Sequence, residues 1–76
     1  MDVQAAVKKI TDRADALPRR EALRFLEDTI EQQQAQCLRF ANSGRAPKGW
    51  SYGKHSDLIA MLISATNERR DARVVA

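Results

Sequence analysis

The sequence predicts an all-α fold: an antiparallel helical hairpin closed by a third helix into a small three-helix bundle, paired as a homodimer. Three observations predict it. Apolar residues recur at helical spacing in three segments, and no segment shows convincing strand alternation. Punctuation falls in two places, at Pro18 and in the stretch that holds all three glycines, Gly44, Gly49 and Gly53. The core is also thin. Of the 43% of residues that are hydrophobic, twelve side chains are alanine, and domains of this size bury only roughly 60% of the surface their unfolded chain exposes. Small scaffolds usually add a disulfide, a metal or a partner subunit. Cys37 is alone, and one His with one Cys cannot build a zinc site, so self-association or docking on a partner is the route that remains. The 76 residues make one domain, residues 1–76.

The first helix is expected over about residues 2–17. Val3, Val7, Ile10, Ala14 and Leu17 follow a 4-3-4-3 spacing, which lays one apolar stripe along the helix. Lys8, Lys9, Asp12, Arg13 and Asp15 occupy the other face, with Lys8–Asp12 an i,i+4 pair. Pro18 ends this helix, because it lacks an N–H and biases Leu17 away from the α region. Proline is favoured at the first position of a helix, so Pro18 is expected to begin the second.

The second helix is expected over residues 18–42. Leu23, Leu26, Ile30, Gln33, Cys37 and Phe40 fall on a 3-4-3-4-3 spacing, a heptad-like seam. Gln33 within that seam reads as a polar residue that sets the register of a helix–helix interface, or as a residue at the seam's edge among Gln32, Gln34 and Gln36. Gly44, after Asn42 and Ser43, can adopt the left-handed conformation that stops a helix.

Residues 43–55 form the loop, and the third helix is expected over 56–71, with Ser56 as its N-cap and Asp57 suited to the positive end of its dipole. Its opening run, Leu58 to Ile63, is apolar nearly all round. In a short chain that pattern requires contact on more than one side. The self-association surface is accordingly assigned to Leu26, Ile30, Gln33 and Cys37 on the second helix and Ile59, Leu62 and Ile63 on the third.

The loop concentrates the chemistry. It holds the only Trp, Tyr and His, and no acidic residue lies between Gln32 and Ser56, while Arg39, Arg45, Lys48 and Lys54 are basic. The formal net charge of +3 is therefore local to this window. Arg45, Lys48, Trp50, Tyr52, Lys54 and His55 are the predicted partner-binding residues, because aromatic and basic side chains dominate interface hot spots. The alternative for Trp50 is that it folds back to plug the core. Arg19 and Arg20 make a secondary basic patch, since Arg24 can be neutralised by Glu27 or Asp28.

Catalytic motifs are near misses. Gly44 to Gly49 has the glycine spacing of a phosphate-binding loop, but Trp50 stands where that motif needs its lysine, and a helix rather than a strand precedes it. Ser51 to Lys54 matches S-x-x-K without the companion motifs or the large fold that give the match meaning. Cys37 reads as a small buried hydrophobe. No cofactor, metal or catalytic residue is expected. A helix-turn-helix reading fails because the third helix opens with apolar turns that could not read bases, and the helical N-terminus disfavours ribbon-helix-helix.

The expectation is therefore a non-enzymatic helical adaptor, inhibitor or regulator that binds an acidic patch on a larger protein through the basic aromatic loop. In size and composition it resembles small accessory proteins of phages and mobile elements, an analogy of scale alone. The alternative is a nucleic-acid-binding protein, DNA or RNA, using the same loop as a dimer, with Trp50 and Tyr52 stacking on bases. Ten acidic residues and a charge of only +3 weigh against it. The N-terminus lacks a signal-like apolar stretch, no run approaches membrane-spanning length, and the lone cysteine fits a reducing compartment, so a cytoplasmic location without membrane contact is expected.

Overall fold

The structure is a computed structural model that describes the backbone of residues 2–75 and the side chains of residues 2–71. It is all-helical: α1 is Val3–Asp15, α2 is Arg19–Ser43 and α3 is Tyr52–Val75. Asp2 caps α1, its carboxylate accepting from the Ala5 N–H at 3.1 Å, which satisfies one of the orphan donors of the first turn. The helix stops at Asp15 rather than Leu17. Pro18 denies Leu17 the α conformation, and the Leu17 N–H closes a turn on the Ala14 carbonyl at 3.0 Å.

Pro18 serves as the N-cap of α2 instead of its first helical residue. Its extended ψ of 149° sets the chain direction, and its carbonyl accepts from the Ala22 N–H at 2.8 Å. At the other end Gly44 takes φ 69°, the left-handed conformation anticipated for it. The larger correction concerns α3, which begins at Tyr52, four residues before the predicted Ser56 cap. Ser51 caps it: its carbonyl accepts from the His55 N–H at 3.0 Å, and its hydroxyl lies 3.4 Å from the Lys54 N–H. The loop therefore shortens, and Tyr52, Lys54 and His55 stand on a helix.

Each helix packs on both others. Ala14 of α1 and Ala22 and Leu26 of α2 form a buried cluster flanked by Ile10 and Phe25. Among the described residues of α3, Leu58 and Leu62 supply the buried apolar side chains. Three cross-helix ties act at one end. The Asp15 carboxylate takes a two-pronged hydrogen bond from Arg69, both contacts 2.8 Å; Glu27 pairs with Arg70 at 2.9 Å; and Arg19 donates to the Arg69 carbonyl at 2.9 Å. Further along, Gln33 of α2 meets His55 of α3. Arg19 at the start of α2 meets Arg69 late in α3, whereas Gln33 further along α2 meets His55 near the start of α3, so these two helices run antiparallel.

Lengths are unequal. The 13 residues of α1 rise about 20 Å, against about 37 Å for the 25 of α2. The molecule is accordingly elongated, 45 × 20 × 18 Å. Among the described residues, no helix is long and apolar enough to cross a membrane.

Candidate interaction surface

The loop between α2 and α3 is built from local rules. The Trp50 N–H bonds to the Pro47 carbonyl at 3.0 Å, and Gly49 sits at φ 85°. A positive φ at the third residue of a four-residue turn is the signature of type II, which glycine alone adopts at no steric cost. Lys48 is thereby placed at the tip of the turn, exposed, and the chain reverses so that Trp50 folds back onto the helices.

There Trp50 joins a hydrogen-bonded chain of three side chains. Its indole N–H donates to His55 Nδ1 at 2.9 Å, and His55 Nε2 lies 2.8 Å from Gln33 Oε1. The donor roles follow from chemistry. An indole nitrogen only donates, so Nδ1 must be the bare acceptor nitrogen, and the imidazole proton sits on Nε2 and is given to the Gln33 oxygen. His55 is thus fixed as one neutral tautomer. It is 1% exposed, and burial holds its pKa below the usual 6.5. Phe40 packs edge-on to Trp50 with ring centres 5.8 Å apart, and Tyr52 meets Trp50 at 6.3 Å, also edge-on, an arrangement that aligns ring edges with ring faces.

Trp50 completes the bundle where α1 falls short. On α2, Ala22 and Leu26 lie on the stripe that continues through Gln33 to Phe40. The first pair packs with α1; the second meets His55 and Trp50. Trp50 packs against Phe40 and His55 and is half-buried.

The predicted contact residues consequently separate. Arg45, Lys48, Tyr52 and Lys54 are exposed, Trp50 is half-buried and His55 is buried with both ring nitrogens engaged. Tyr52 is 60% exposed and, across from it on α2, Leu38 is 62% exposed. The two edge a shallow depression of about 270 Å³ floored by Cys37 and Ile59. From the sequence, Leu38 lies beside the heptad seam and widens it, but it was not among the predicted contact residues.

The predicted self-association residues separate too. Leu26, Cys37 and Leu62 are buried within the single chain, and Gln33 is spent on His55. Leu26 and Leu62 are fully covered by the chain's own helices, whereas Gln33 stays half-buried and Cys37 borders the depression beside Leu38. Ile30 and Ile59 stay half-buried and Ile63 is exposed. Of the secondary patch, Arg19 is engaged with the α3 backbone, whereas Arg20 makes no described hydrogen bond or salt bridge and is exposed.

Comparison with protein-family models, with curated proteins and with solved structures gives no match for this chain.

Proposed function

We propose that this chain is a non-enzymatic interaction protein, a small adaptor or regulator, that presents its loop end to an acidic patch on a larger cytoplasmic protein. The observation that carries the reading is the division within the loop. Trp50 and His55 are spent on locking the loop to the bundle, so Arg45, Lys48, Tyr52 and Lys54 stand exposed on a braced support. Preorganisation of this kind lowers the ordering cost of binding. An exposed tyrosine beside cations is a composition suited to an interface hot spot, and the absence of nearby carboxylates apart from Asp57 favours an acidic target. The engaged nitrogens of His55 leave it no lone pair for proton transfer to a substrate, which supports the non-enzymatic reading. In this reading α1 and α2 form the antiparallel hairpin on which α3 and the loop are mounted, and the unit acts as a homodimer.

The rival ligand for such a surface is nucleic acid, and one titration separates the two. Trp50 and Tyr52 fluorescence is followed while a mixed DNA and RNA oligonucleotide pool is added at low and at moderate salt. The protein-partner reading predicts no change at micromolar protein. Quenching that weakens by roughly one or more orders of magnitude with salt, and that is lost in Lys48→Glu and Lys54→Glu, would replace it with the nucleic-acid reading.

A further inference from the structure

We infer that Trp50 is a proton-released latch: protonation of His55 at Nδ1 detaches the indole and frees the loop of residues 44–51, while α2 and α3 stay clamped. This concerns control of the loop and is independent of what the loop binds. It rests on an asymmetry in the hydrogen-bonded chain. The neutral imidazole turns its Nε2–H toward Gln33 at 2.8 Å and its bare Nδ1 toward Trp50 at 2.9 Å. Nδ1 is therefore where an incoming proton must go. An indole N–H cannot accept a hydrogen bond, so the new N–H and the Trp50 N–H would face each other as two donors. The Gln33 contact survives the same change and gains charge assistance. One proton thus breaks the tie to the loop and keeps the tie between the helices.

Among the described residues, no carboxylate is brought against the ring to hold it charged in place. The depression beside His55 is lined by Phe40, Pro47 and Trp50, with Lys48 its one cation. On α2 the ring meets Gln33 and Phe40, and the titratable or charged groups nearest that face are Cys37 and the exposed Arg39. Lys54 and Asp57 on its own helix are exposed, and no described hydrogen bond or salt bridge joins α1 to His55. Burial alone holds its pKa below 6.5. The loop is also free to leave. Among the described hydrogen bonds, the indole makes the one tie from residues 45–50 to a helix beyond the loop's own edge; the Trp50 N–H bonds within the loop, and the Arg45 N–H reaches only Ser43. Gly44 and Gly49, both at positive φ, provide hinges. The buried cluster of Ala14, Ala22 and Leu26 is flanked by Ile10 and Phe25 rather than by Trp50, so release leaves it intact. Below pH 6.5 each further pH unit should raise the ratio of released to latched loop by about tenfold, until the latched form itself binds the proton.

Trp50 is the only tryptophan, so its emission reports the latch alone. As pH falls from 7.5, the emission maximum should move toward that of the urea-unfolded chain with a midpoint below 6.5, while far-ultraviolet circular dichroism keeps its starting value. Nitrogen NMR of the His55 ring should show the Nε2–H tautomer at pH 7.5 and an imidazolium once Trp50 has moved. His55→Asn sets an amide oxygen, which does not titrate, in place of Nδ1, so it should keep the indole bonded and hold the emission flat over the same range. A Trp50 transition that coincides with loss of helix overturns the inference. So does emission that stays unchanged while the His55 ring titrates, an Nδ1–H tautomer at pH 7.5, or an undiminished transition in a His55→Asn chain that remains helical.

Discussion

Replacing Gln33 with leucine removes the acceptor at one end of the Trp50–His55–Gln33 chain and leaves the His55 Nε2–H facing an apolar group. With His55 only 1% exposed, that N–H has no ready route to water. An orphaned buried donor costs about 1–3 kcal/mol. In a domain of this size about 2 kcal/mol corresponds to a fall in Tm of roughly 8–16 °C. Adding His55→Leu to Gln33→Leu removes the orphan along with its cause, so the double variant should be more stable than the sum of the single changes predicts, by about 1–2 kcal/mol. The Trp50 N–H loses its acceptor in both His55 variants and cancels from that comparison. Thermal and urea unfolding followed by circular dichroism at pH 7.5 measures all four proteins. Additivity within about 0.5 kcal/mol, or a Gln33→Leu melt indistinguishable from wild type, would refute the reasoning.

The same chain makes stability depend on pH. Burial holds the folded His55 pKa below the 6.5 of the unfolded chain, and protonation would set a second N–H against the Trp50 donor, so its contribution is complete above pH 6.5 and declines below it, no more steeply than about 1.4 kcal/mol per pH unit; His55→Leu should lack this slope in urea titrations at stepped pH. Trp50→Ala should lower the Tm markedly, because the ring covers Phe40 and His55, and an unchanged melt would show that the plug is dispensable. Arg69 holds the Asp15 carboxyl below its usual 3.8 through their hydrogen bonds, so its contribution is complete above pH 3.8 and is lost as pH falls through the lower folded value; Asp15→Asn should flatten that part of an acid-unfolding curve. Gly44→Ala should destabilise by about 1 kcal/mol through backbone strain alone, since φ is 69° and nothing lies within 4 Å of the added Cβ; a melt at or above the wild-type temperature would contradict the left-handed cap.

The helices were legible because each rests on signals short enough to read in one dimension. The 3–4 spacing of Leu23 to Phe40, the helix break around Pro18 and the Gly44 stop all act within a turn or two. The start of α3 was not legible, because two serines compete for its cap, at 51 and 56. The choice falls to Ser51 since His55 must sit on the inward face of a helix to reach Gln33, a contact between residues 22 apart. The same long-range pairing hid the role of Trp50. Periodicity marked Gln33 as an inward polar residue and composition marked Trp50 and His55 as singular, but only the fold brings the three together. The basic residues Arg45, Lys48 and Lys54 needed no partner to be found, and charge alone located them.

The central claim is that the exposed residues of the loop end engage an acidic protein while the locked residues do not. Affinity capture from a nuclease-treated lysate of the source cells, quantified for the wild-type chain and for a Lys48→Glu/Lys54→Glu double variant of unchanged melting temperature, tests it most directly. The account predicts a protein that is enriched by the wild-type chain, survives nuclease treatment and is lost from the double variant. Identical capture by both chains, or capture that disappears with nuclease, would contradict it.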